Sequence, residues 1–162
     1  MKKKAQAKGA LQPSPKILVT VRDAQGQDNA LAVGYCGNCS YDPPMVMVGI
    51  VPSRYSYHMI KENECFVVNL PSKEQEAMFD YLGSHSGYDE NKLKAIGANT
   101  CNADIVNAAL LTDCPVNIEC TVVDSIKTGS HEMFIGKVER VHADEKYIDE
   151  EGKIDFVKLQ LL

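Results

Sequence analysis

Residues 52–57 read Pro52-Ser53-Arg54-Tyr55-Ser56-Tyr57, a stretch that gathers two hydroxyls, a guanidinium and the start of a helical pattern. Free backbone N–H groups at a helix start, a favourable dipole and a bidentate cation are what a phosphate needs. The plainer alternative is a surface turn in which Ser56 is an ordinary helix cap. A second segment, Asn29 to Asn38, carries Ala32, Val33 and Gly34, small enough to leave the backbone open to a flat ligand. The same residues suit a strand packed beneath a helix. A third, Gly83-Ser84-His85-Ser86-Gly87, is a loop with hydroxyls ahead of Asp89 and Lys92.

Cys36-Gly37-Asn38-Cys39 has the spacing of a dithiol redox centre or of half a zinc site. A redox motif of that kind opens a helix, whereas here Asp42-Pro43-Pro44 and a strand follow. The remaining cysteines, Cys65, Cys101, Cys114 and Cys120, form no second close pair to complete a zinc site, so inert thiols, a redox role and a metal role all stay open. His58, His85, His131 and His142 are scattered, and none stands at triad spacing from an Asp and a nucleophile. No catalytic residue and no metal ligand is assigned.

The elements that position these segments are mostly short strands. Ile17–Val21, Ala30–Tyr35, Met45–Val51, Cys65–Leu70, Ala108–Leu111, Val116–Val123 and His131–His142 are apolar or β-branched runs bounded by turn residues. Gly34 and Gly37 mark a strand end, as a bulge or a close ligand approach. Helices are expected over Ser56–Glu62, from Ser72 (whose Ser-Lys-Glu-Gln matches a capping box) to a stop at Gly83, and over Asp89–Ile96 before Gly97. Both faces of His131–His142 mix apolar and polar residues, as in a long bent strand of a small barrel. The pattern therefore predicts a mainly β domain with minor α: a closed or nearly closed antiparallel barrel with short helical insertions.

The chain has 162 residues, the length of one ordinary domain, with 44% hydrophobic and 24% charged residues, a balance that argues against disorder. Its net charge of -5 disfavours nucleic acid and anionic membrane surfaces as partners. No apolar run reaches the roughly 18 residues of a membrane span, and the lysines at 2, 3, 4 and 8 lead into no apolar stretch of a secretory signal. A cytoplasmic protein with free thiols is expected, with residues 1–14 as a flexible tail and 15–162 as the domain.

The order of the pieces resembles the flavin reductase-like proteins, in particular the flavoredoxin branch. The resemblance rests on Asn29 to Pro44, Met45 to Val51, Pro52-Ser-Arg-Tyr-Ser56, Phe66-Val-Val-Asn-Leu70, Ser86-Gly87 and Asn91-Lys92. Cys114 to Cys120 and Gly129 to Gly136 resemble the family's later strands. The resemblance implies a Greek-key FMN-binding split β-barrel acting as a homodimer. It implies that FMN is held by Ser53, Arg54, Tyr55 and Ser56, with the flavin ring against Ala32, Val33, Gly34, Tyr35 and Cys36. It places Asn69, Ser86, Gly87 and Lys92 near the flavin. It further implies electron transfer between NAD(P)H, or a small iron-containing protein, and flavin; the alternative it allows is a non-enzymatic FMN-binding electron carrier serving a partner. Two positions depart from the branch: Ala32 stands where Thr is usual, and Tyr35 where Trp is frequent. Relatives also commonly continue past the equivalent of Leu162 with another aromatic-containing segment; if that segment helps form the pocket or the dimer, either a more open site or an altered chain end is expected here.

Overall fold

The computed structural model describes residues 1–162. A hairpin opens it. β1 (Ile17–Arg22) and β2 (Asp28–Val33) are joined by a turn in which Asp23 Oδ1 accepts from the backbone N–H groups of Gln25 and Gln27. β3 (Cys36–Ser40) and β4 (Met45–Ile50) form a second hairpin, and α1 (Tyr55–Asn63) leads to β5 (Cys65–Leu70). α2 (Glu76–Ser84), α3 (Lys92–Ala95) and the short pair β6 (Thr100–Asn102) and β7 (Ala109–Leu111) come next. The long strands β8 (Val116–Lys127) and β9 (Glu132–Ala143) precede the last turn of helix, α4 (Phe156–Leu159). No helix is long and apolar enough to cross a membrane.

Seven strands form one antiparallel sheet in the order β2-β1-β5-β8-β9-β4-β3. β8 and β9 pair over almost their whole length, with register shifts at Glu119/Cys120 and Val122/Asp124. Such bulges bend a strand and deepen its twist, and here the sheet is curled into a half-barrel. Inside the curl lies a core built from alternate residues of the strands: Ile17, Val19 and Val21 of β1, Val48 and Ile50 of β4, Phe66 and Val68 of β5, Phe134 of β9. Met59 and Ile60 of α1 complete it. Leu18 of β1 and Ala30 of β2 point the other way and pack with Leu82 of α2 and Leu93 of α3. Both faces of β1 are covered, which is why it reads as an uninterrupted apolar run.

Buried polar side chains fasten the strands to one another. Asn69, fully buried on β5, donates through Nδ2 to the Leu18 carbonyl (3.3 Å) and Thr20 Oγ1 (3.1 Å). Its Oδ1 accepts from the Leu111 N–H (3.0 Å) and Asn117 Nδ2 (2.7 Å). Four strands thus meet at one amide. Glu119, fully buried on β8, accepts from the backbone N–H groups of Asp104, Ile105 and Val106 at 2.7–3.0 Å and lies 2.6 Å from His142 Nε2. Burial pushes its carboxyl up, but these bonds outweigh burial and hold it down at about 2.

Several elements differ from the sequence expectation for local reasons. The helix at Ser56 starts one residue earlier, with Arg54 as its N-cap, so Ser56 is not the cap. The capping box at Ser72 and Gln75 is present, but it opens a single 3-10 turn ahead of α2. α2 runs through Gly83 to Ser84 instead of stopping there. A Cβ at Gly83 would lie 3.0 Å from Ala32 Cβ, so this glycine serves the close approach of helix to sheet. The helix expected over Asp89–Ile96 shrinks to α3, because Asn91 accepts from the Lys94 N–H and sets its start; Gly97, at φ +61, follows it. β3 and β6 were not expected.

Gly136 sits on β9 where an added Cβ would meet Phe66 Cζ at 2.5 Å and Cys120 Cβ at 2.8 Å, both in fully buried side chains. Gly136→Ala is expected to lose about 1–3 kcal/mol by overpacking, read as a lower urea midpoint with an unchanged slope; an unchanged midpoint contradicts this packing.

Candidate functional site

α1 begins where β4 ends. The Arg54 N–H bonds the Val51 carbonyl at 2.9 Å, closing the Pro52–Ser53 turn, and Arg54 caps the helix in an extended conformation. The Tyr57 N–H already bonds the Arg54 carbonyl at 2.9 Å; by helix geometry the N–H groups of Tyr55 and Ser56 ahead of it have no intrahelical acceptor, and the dipole leaves positive charge there. α1 is held from below by Glu132, a buried carboxylate that accepts from the Tyr57 hydroxyl, Lys61 Nζ (3.0 Å) and Ser125 Oγ (2.6 Å). Hydrogen bonds from Ser125 and Tyr57 dominate over burial and keep this carboxyl at about 2.

The start of α1 faces the end of α2, the loop after it and the start of α3. Between them is a cleft lined by Asn29, Leu31, Ala32, Arg54, Tyr55, Ser56, Leu82, Gly83, His85, Ser86, Gly87 and Lys92. No carboxylate lines it. Gly87 lets Tyr55 close against the loop, since a Cβ there would come within 2.4 Å of the Tyr55 ring. The His85 ring, part of the lining, stacks on Tyr81 at 3.8 Å between centroids.

Lys92 is the most unusual group in the cleft. It is 97% buried (3% exposed), and its ammonium has one protein partner, the Leu82 carbonyl at 2.8 Å. Burial first, and then the nearby Arg54 charge, pull its pKa down to about 8 against the pull of Glu90. Glu90 itself accepts from the Tyr81 hydroxyl at 2.8 Å. Two cations thus converge on one cleft, and neither is ion-paired. An anion with several acceptor oxygens is the complement of such a site.

Of the residues singled out in the sequence, Ala32, Arg54, Tyr55, Ser56, Ser86, Gly87 and Lys92 come together in this cleft. Gly34, Tyr35 and Cys36 lie instead in a neighbouring hollow with Met47, Met133 and residues 7–12 and 14 of the N-terminal segment. There Ser14 Oγ donates to the Gly34 carbonyl at 2.9 Å and Tyr35 meets His131 edge to face. Val33 is buried in the core of the half-barrel, Ser53 is exposed outside the cleft lining, and Asn69 is enclosed in its four-strand network. Asn29, Leu31, Gly83 and His85 also line the cleft; they lie in the segments singled out in the sequence without having been assigned a contact, and Leu82 lies outside those segments. Asn29 had a signal: a polar residue ahead of the apolar run of β2.

All six cysteines are free. Cys36 and Cys39 lie on β3, an edge strand, and burial raises the Cys36 pKa, opposite to what an activated thiol requires. Burial likewise pushes Cys114 and Cys120 up to about 12. Asp104, Glu119 and His142 bring ligand atoms within 4.8 Å of one another. The Glu119 oxygens are already engaged by backbone donors, and Asp104 pairs with Arg140 at 2.6 Å.

The flavin reductase like domain family matches residues 10–156 of this chain. Flavoredoxin of Desulfovibrio vulgaris (Miyazaki F) superposes with a TM-score of 0.91 at 30% identity, over 98% of this chain and 85% of that one. Flavoredoxin from Methanosarcina acetivorans gives 0.88 at 27% identity, over 99% and 86%. An NADH:riboflavin 5′-phosphate oxidoreductase of Streptomyces pristinaespiralis is 28% identical over 123 residues, 76% of this chain and 67% of that protein. The chain spans 72%, 50% and 63% of the length of relatives from Archaeoglobus fulgidus, Aeropyrum pernix and Pyrococcus abyssi.

Lys92 gives a pH signature. Unfolded, it keeps its proton up to about 10.5; folded, it releases it near 8. The unfolded state therefore binds more protons between those values, and this group adds stability as pH rises through that window. Lys92→Met is expected to flatten that rise, measured as the difference in unfolding free energy between wild type and variant from pH 7.5 to 10.5. A difference that does not change with pH contradicts the assignment.

Proposed function

We propose that this chain, which belongs to the flavin reductase-like family, is a flavin-related oxidoreductase, that its flavin is FMN and that the cleft at the start of α1 holds the FMN phosphate. The observation that carries this reading is the pair of cations, Arg54 and buried Lys92, facing one cleft with no carboxylate in its lining. The residues present fit the group: a phosphate dianion would give Lys92 the counter-charge it lacks and offer Arg54 a bidentate partner. The Ser56 hydroxyl and the helix start supply further donors.

When bound, FMN supplies a ring that accepts hydride and passes electrons on. The chain's own part is binding, orientation and exclusion of water. Arg54 and Lys92 fix the anionic end. Leu31 and Leu82 provide apolar wall, and Ala32 and Gly83 keep the backbone of β2 and α2 accessible in the same cleft. Ala32, Gly34, Tyr35 and Cys36 border the path from cleft to hollow on which the ring is expected to lie, with Val33 buried behind them. Ser53 shapes the turn before Arg54, and Asn69 sets the strand positions beneath. Tyr55, Ser86 and Gly87 close the outer side of the phosphate.

The electron donor is NAD(P)H or a small iron-containing protein, and no residue of the chain is needed as an acid–base catalyst for hydride transfer. A non-enzymatic FMN carrier serving a partner uses the same cleft, and the likeness to two flavoredoxins favours keeping that reading. We assign residues 15–162 to the domain and 1–14 to a tail, and expect a homodimer in the cytoplasm.

The experiment is a pair of titrations. Wild type is expected to bind FMN more tightly than riboflavin, and Arg54→Ala to weaken FMN by about 10- to 100-fold through loss of a charge-assisted contact while leaving riboflavin unchanged. Equal affinities in wild type, or an unaffected FMN titration for the variant, contradict the phosphate assignment. Steady turnover of NADH or NADPH with FMN supports the enzyme; reduction only by a reduced iron protein supports the carrier.

A further inference from the structure

Ser56 and Asn29 share one buried contact at the base of the cleft. Ser56 is 1% exposed in the first turn of α1, Asn29 is 4% exposed on β2, and Asn29 Nδ2 lies 2.7 Å from Ser56 Oγ. An amide nitrogen only donates, so Ser56 Oγ accepts from Asn29 and cannot turn its own proton back along that line. A serine inside a helix commonly returns its proton to the carbonyl four residues earlier. Ser56 makes no such bond, and Asn29 is its only side-chain hydrogen-bond partner. Its proton is therefore left for the cleft that both residues line.

Resting on the phosphate reading above, we propose that Asn29 is a positioning residue that occupies one lone pair of the Ser56 hydroxyl, keeps its proton on the cleft side and so favours a phosphate terminus, rich in acceptor oxygens, over a hydroxyl terminus. With Arg54 and Lys92, which can only donate, Ser56 then completes a set of three side-chain donors from α1 and α3. A phosphate dianion satisfies all of them. The terminal hydroxyl of riboflavin offers one neutral acceptor oxygen, which leaves most of these donors unmet. Asn29 contributes to the choice without touching the ligand's charge, by restricting the directions open to one O–H bond.

The test titrates full-length wild type, Asn29→Ala, Ser56→Ala and the double variant with FMN and with riboflavin. Asn29→Ala is expected to weaken FMN by about 10-fold and leave riboflavin unchanged, and to cost nothing further in the Ser56→Ala background. Equal weakening of both ligands means a merely structural role and overturns the proposal. So does a full Asn29→Ala loss that persists when Ser56 is absent. Should Asn29→Ala not fold, Asn29→Leu, of similar size and with neither donor nor acceptor, asks the same question. It frees the Ser56 hydroxyl to rotate, so FMN binding is expected to fall by about 10-fold with riboflavin unaffected; retained FMN binding overturns the proposal. Wild type that does not distinguish the two ligands removes the phosphate reading itself, whereas wild type that distinguishes them while Asn29→Ala behaves identically removes only the role of Asn29.

Discussion

A lysine ammonium enclosed by protein, beside an arginine and with a single carbonyl to bond, is a costly arrangement for a fold to maintain. Desolvation disfavours the charged form and a neighbouring like charge adds to the cost. Lys92 shows both effects in its lowered pKa. A cleft that tolerates this suits an anion, whose charge would offset both cations. The rest of the site follows from that constraint: no carboxylate in the lining, a helix start at one side, and glycines where α2 and the loop after it come close to β2 and Tyr55.

Holding two cations on different helices in register needs a stiff frame, and the frame is stiffened by buried polar groups as well as by the apolar core. Glu132 ties the underside of α1 to β8, so the turn carrying Arg54 is anchored to the longest strand pair of the sheet. Asn69 ties β1, β5, β7 and β8 at one point. Glu119 ties the loop at 104–106 to β8 and β9. Each is satisfied by several partners, the condition under which a buried polar group specifies a geometry instead of weakening it. The flavin-related chemistry of the family places its demands on such a frame, because the protein's contribution is position and exclusion of water.

Much of this arrangement was legible in the amino-acid order, and the exceptions have local physical causes. β1, β5, β8 and β9 stand out because their β-branched runs are paired on both sides and covered by side chains. β3 does not, since Cys-Gly-Asn-Cys-Ser has little β propensity and pairs along one edge only. Gly83 reads as a helix stop, yet its missing side chain is used for contact with Ala32 in mid-helix. Ser56 has the residue type of a cap but lies inside the first turn, where Asn29 occupies its oxygen. Arg54, Ser86 and Lys92 could be grouped by their likeness to a family pattern. The role of Asn69 in a four-strand network depends on pairings distant in sequence, which no local pattern displays.

The most direct test of the account is a crystal structure of the protein grown with FMN. The account predicts the phosphate within hydrogen-bonding distance of Arg54, the Ser56 hydroxyl and Lys92 Nζ, with the ring extending past Ala32. Density for FMN elsewhere on the molecule, or a phosphate facing solvent with Lys92 still bonded only to the Leu82 carbonyl, would contradict it.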